Sequence, residues 1–151
     1  MRPSPPLVRL TPGSAIAAGL LSVTAGAGLT AVLFSSIVLV TRGGAPMAVA
    51  TFFLAMGFAW PIWLIGLAIF GAPCWWLMHR SGVRSPWIGG LAGAGLTFMA
   101  TGAYVARLSA PASPGPSDTL GAWLFAIALA AIGGGTGWLL IRIAYTREAA
   151  R

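Results

Sequence analysis

Lysine is missing from this chain, and its 151 residues hold only two carboxylates, Asp118 and Glu148, one histidine, His79, and one cysteine, Cys74. Each scarcity removes a class of chemistry. Acid–base catalysis by paired carboxylates needs both near one substrate, but Asp118 stands just before the last long apolar run and Glu148 just after it. One cysteine permits neither an intramolecular disulfide nor a thiolate cluster for zinc or iron–sulfur. His79 has no second histidine, and Cys74 lies five residues earlier, so metal or haem ligation is not expected. His79, followed by Arg80, reads as a solvated residue of a connection. Cys74 reads as a small buried hydrophobe, with acylation the alternative. No catalytic, cofactor-binding or metal-binding residue is therefore assigned.

Charge of either sign is also scarce. Charged residues make up 7% of the chain, against about 25% in an ordinary soluble domain. Hydrophobic residues reach 58%, and the mean hydropathy is +0.88. Such a chain cannot cover itself with polar surface, and lipid is its expected solvent. Between charges stand Leu10–Thr41, Gly43–Met78, Ser85–Ala106 and Thr119–Ile141, each containing the ~20 mostly apolar residues that a membrane span needs. Hydrocarbon offers the backbone no hydrogen-bond partner, so these runs should be helices, and the alternation of a membrane β-strand is not seen.

The predicted fold is an all-α integral membrane protein, a small bundle of four transmembrane helices at about 15–40, 47–71, 87–106 and 119–141. Residues 1–13 and 145–151 form tails around a membrane domain of 14–144, with a Pro/Ser/Gly-rich outer loop at 107–118. The first run resembles a secretory signal, with Arg2 and Arg9 ahead of it and Ala25-Gly26-Ala27 as a cleavage-like triplet. Its apolar stretch continues to Val40, well past an h-region of roughly 7–15 residues, and an uncleaved anchor starting near Ser14 is expected. The second run is too long for one straight span: as a helix its 36 residues would extend ~54 Å against ~30 Å of hydrocarbon. Pro46 suits its first turn, Pro61 a kink, and Gly71-Ala72-Pro73 a break. That break would leave Cys74 to Met78 at the interface, with Trp75 and Trp76 at headgroup depth. Ser117 or Asp118 is expected to cap the fourth helix.

All nine basic residues are arginine, and alanine and glycine abound, as in GC-rich bacterial genomes. The net charge is +7, but no basic stripe interleaves with aromatics, so nucleic acid is not an expected partner. Juxtamembrane arginines more simply contact anionic lipid headgroups. With the N-terminus in the cytoplasm, Arg2, Arg9, Arg80, Arg84, Arg142, Arg147 and Arg151 lie inside, and only Arg42 and Arg107 lie outside. The expected arrangement is N-in/C-in in a bacterial inner membrane.

None of the four runs contains an acid or a histidine near its middle, where ion-coupled transporters carry their relays. This speaks against a proton-coupled exporter of the small multidrug resistance type, which relies on a membrane-embedded glutamate. What the runs do contain is small residues at helical spacing. Ala18, Ser22, Gly26 and Thr30 form one stripe, Gly89, Gly93, Thr97 and Thr101 a second, and Ala122, Ala126, Ala130 and Gly134 a third beside Gly133 and Gly137. Their use is close helix packing, first within one chain and second against a membrane-protein partner or another copy. The functional expectation is a non-catalytic, helix-packing or accessory membrane protein, not an enzyme. The alternative is a small oligomeric channel or transporter, with Ser35, Ser36, Thr97 and Thr101 as candidate pore hydroxyls.

Overall fold

The structure is a computed structural model that describes residues 12–42, 44–82, 85–108 and 116–146. The described residues form four helices and no strand: α1 (Pro12–Arg42), α2 (Ala45–Arg80), α3 (Pro86–Leu108) and α4 (Pro116–Thr146). All four are long and apolar enough to cross a membrane. The chain is a multi-pass, all-helical membrane protein, and the expected bundle is present. Large apolar side chains cover its outside, including Val40, Phe58, Trp87 and Leu91. That surface would be untenable in water and is ordinary in lipid.

Proline and glycine set the helix ends. Gly44, in an extended conformation, precedes α2, and Pro46 falls in the first turn, where no N–H is needed. At the other end Gly82 has φ +74°, the left-handed position that glycine fills without strain, and the Ser81 N–H reaches the Leu77 carbonyl over 2.9 Å. α4 starts at Pro116, so Ser117 and Asp118 stand inside its first turn and not at the expected cap position.

The break expected at Gly71-Ala72-Pro73 does not occur. Helical residues continue from Gly71 through Ala72 to Arg80, and the irregularity is one π-helical turn over Leu67–Gly71, immediately before the proline. In a regular α-helix the Pro73 ring would press on the carbonyl four residues earlier. Widening the preceding turn removes that clash, and the Ala72 N–H bonds the Leu67 carbonyl in the wider register. The chain thus keeps its backbone bonded where hydrocarbon offers no substitute. Pro61 likewise sits within uninterrupted helix.

The helices pack as an open arc. α4 lies along α3 on one side and against α1 on the other, and α1 lies against α2. Among the described residues α2 and α3 make no comparable packing, although they are neighbours in sequence. In the most apolar stretch of α2 only 6% of residues are buried, against 28% in α1 and in α4. α2 and α3 are therefore the two free arms of the arc.

Candidate functional site

Glycine makes α3 and α4 one rigid unit. A methyl group on Gly93 would overlap the Gly133 carbonyl, one on Gly137 the Gly89 carbonyl, and one on Gly133 the Thr97 hydroxyl. Only backbones without Cβ atoms approach so closely, and such crossings gain dispersion and Cα–H contacts. Gly134 meets Ala94 alongside. The second stripe thus works inside the chain. Of the third, Gly134 touches α3 and Ala126 and Ala130 are buried, but the closest crossing runs through Gly133 and Gly137.

α1 binds its neighbours differently. Ala18, Ser22, Gly26 and Thr30 are all buried, so the first stripe is also an internal seam. Gly26, at the centre of the cleavage-like triplet, faces Thr136 of α4 and the Trp63 ring of α2. The Trp63 indole donates to the Thr30 hydroxyl over 3.1 Å, and Trp60 donates to Thr24 over 3.3 Å. Ser35 donates to the Ala48 carbonyl over 2.7 Å. These hydrogen bonds tie α2 to α1 along much of the shared length.

Between the two units, α1/α2 and α3/α4, lies a cleft of about 780 Å³ whose lining draws on all four helices. Trp63, Phe70 and Trp75 line it from α2, and Ala92, Leu96 and Ala100 from α3. On α3 the lining runs from Gly89 to Thr101, ~18 Å of helix, which exceeds the ~15 Å depth of one hydrocarbon leaflet. Its volume lies in the ~300–1,000 Å³ range of small-ligand sites.

One polar atom stands out in this wall. The Trp75 Nε1 is buried and makes no hydrogen bond, the single such side-chain atom among the described residues. A buried unpartnered donor costs ~1–3 kcal/mol. Trp75 is therefore part of the cleft wall. Trp76 is exposed, with Arg80 over its ring at 5.4 Å.

His79 is placed differently from expectation. It lies in the last turn of α2, not in a connection. Its Nδ1 is 3.1 Å from the Tyr145 hydroxyl of α4, and its ring stacks between Trp75 and Tyr145 at 6.0 and 6.4 Å. This bridge crosses one mouth of the cleft, where Arg142 also lies over Trp138 at 4.7 Å. Chain separation hid it, since the two partners are 66 residues apart. Because the contact is exposed, His79→Ala should cost no more than about 1 kcal/mol in a denaturant titration. A loss several times larger would mean that the bridge holds α2 to α4.

Among the described residues no group of three or more His, Cys, Asp or Glu side chains comes together, and His79 meets an aromatic hydroxyl and an indole. Cys74 is partly buried and lines the cleft as a thiol. The four candidate pore hydroxyls are not gathered into one line. Thr97 and Thr101 line the cleft, whereas Ser35 and Ser36 sit on α1 outside it. All four donate their protons to backbone carbonyls.

No family model, curated protein or solved structure matches this chain.

Proposed function

We propose that the chain is a non-catalytic, accessory membrane protein whose working part is the cleft between α2 and α3, which takes in an apolar guest from the bilayer. The observation that carries this reading is the open arc: two internally tied helix pairs with an apolar hollow of about 780 Å³ between them. Had packing within the chain been the whole purpose, closing α2 onto α3 would have buried more surface. No acid–base pair among the described residues serves the hollow, which supports a holding role over turnover. The arginine distribution supports an N-in/C-in arrangement in a bacterial inner membrane, with the His79 end at the cytoplasmic face.

A nitroxide on Cys74, the sole cysteine, tests the reading in liposomes. Relaxation by oxygen, which partitions into lipid, and none by a water-soluble nickel chelate is the expected result. Relaxation by the chelate would make the hollow aqueous and favour the channel alternative; relaxation by neither would mean a closed bundle. Orientation is tested after Cys74→Ala. A membrane-impermeant maleimide applied to intact cells should spare Ser81→Cys and modify Ser113→Cys, the latter outside the described residues. The reverse pattern would invert the topology.

A further inference from the structure

We propose that the last segment of α2, Ala72–Arg80, is a lid on one mouth of the cleft, hinged on the π-turn at Leu67–Gly71 and latched by His79 on Tyr145. The lid does not depend on what the cleft holds.

The fastening of α2 stops where the hinge begins. Its hydrogen bonds to α1 are made by Ala48, Trp60 and Trp63, all of which precede the π-turn. Leu67, the first residue of that turn, still approaches Gly19 of α1. Beyond it, among the described residues, no other helix packs closely along Ala72–Arg80, and no residue from Leu67 to Arg80 is buried. A segment with so few buried contacts opens at low cost while the rest of the bundle stays packed.

The hinge has a covalent cause. Pro73 has no N–H to give to the carbonyl of Ala68 or Ile69, so one bond across the turn is missing in either helical register. Prolines and π-turns are where helices bend sharply. Gly71 permits the wide turn, because a methyl group there would overlap the Leu67 side chain. Gly82, with its positive φ, turns the chain at the other end. Between the two glycines stands one continuous piece of helix about 13 Å long.

The latch sits where the hollow ends. The cleft lining stops at Met78 on α2 and at Ile141 on α4. The next residue of α2, His79, meets the α4 residue one turn further on, Tyr145, at 3.1 Å, so the bridge crosses just beyond the lining. Cys74, Trp75 and Met78 of the same segment form the wall inside it. Swinging the segment outward therefore widens the mouth and withdraws three wall side chains together. An exposed hydrogen bond and a ring stack hold it shut, and interhelical hydrogen bonds in membranes are modest enough to break and re-form.

Double electron–electron resonance on the full chain in liposomes, with Cys74→Ala as background, tests the lid. One pair of nitroxides is placed at Leu77→Cys and Gly135→Cys, and a reference pair at Ile65→Cys and Gly135→Cys. Leu77 and Ile65 are both exposed, one beyond the π-turn and one before it, and a side chain added at Gly135 meets open space. The Leu77 pair should show one dominant distance, and His79→Ala should raise the share of a second, longer distance about threefold or more. Tyr145→Phe, which keeps the ring and removes the hydroxyl, should have a smaller effect in the same direction. The Ile65 pair should keep one narrow distance in every variant.

A Leu77 distribution that His79→Ala leaves unchanged would overturn the proposal, because the bridge would then not be a latch. Equal broadening of both pairs would overturn it as well, since the whole of α2 would be moving and the π-turn would not be the hinge. The Cys74 nitroxide in the otherwise unaltered chain reports separately on the cleft: a lipid-filled hollow with an immobile Leu77 pair removes the lid and leaves the reading of the cleft standing.

Discussion

Gly93→Leu is expected to lose about 3 kcal/mol or more of stability, whereas Gly95→Leu, two residues further along α3, should unfold like the parent. A side chain at Gly93 begins inside the Gly133 carbonyl, and the obstacle is backbone that cannot rotate away. The helices must separate and surrender the close contacts of the whole crossing, each ~0.1–0.2 kcal/mol. At Gly95 nothing lies within 4 Å of an added Cβ, so a leucine there simply meets lipid. Gly133→Leu and Gly135→Leu repeat the contrast on α4: the first strikes Thr97 and the Gly93 carbonyl, and the second meets open space. Thermal or denaturant unfolding in mild detergent, followed by helical circular dichroism, measures all four. Similar unfolding of Gly93→Leu and Gly95→Leu would mean that the α3–α4 crossing is not where the structure places it.

The contrast shows what was legible in the sequence. Span number followed from the lengths of the uncharged runs, because bilayer thickness and backbone hydrogen bonding leave a long apolar segment little choice but helix. The glycine and alanine stripes were equally visible, since close approach demands small residues at helical spacing. Which neighbour each stripe meets was not visible: Gly89 and Gly93 could face any helix until α4 is laid against α3. Pro73 announced an irregularity, but a break and a π-turn both answer the same steric problem, and only the cost of unbonded backbone in lipid favours the turn.

The cleft was hidden for a different reason. It arises because two packed pairs do not close on each other, and absent packing leaves no periodic mark in sequence. Trp75 and His79 looked like ordinary interfacial residues, and nothing in the sequence singled out Trp63. Trp63 and His79 take their contacts from Thr30 and Tyr145, both brought in from elsewhere by the fold.

Trp63→Ala is expected to be the most damaging single truncation on α2, costing about 3 kcal/mol, while Ile65→Ala, an exposed position two residues away, should cost far less. Trp63 is where three helices meet: its ring faces Gly26 of α1, which in turn faces Thr136 of α4. Its N–H holds Thr30, whose hydroxyl proton goes to the Gly26 carbonyl over 2.8 Å, so one indole anchors a short chain of hydrogen bonds. α2 is the least buried helix in its apolar stretch and packs chiefly against α1. Trp63→Phe separates the two contributions, since it keeps most of the ring and removes the donor. It should lose about 1 kcal/mol or less, in line with the modest worth of interhelical hydrogen bonds in membranes. A double-mutant cycle with Thr30→Val isolates that bond, and a coupling near 0.6 kcal/mol is expected. If Trp63→Ala and Ile65→Ala unfold alike, α2 is not fastened through Trp63. An arm held elsewhere would then set the width of the cleft.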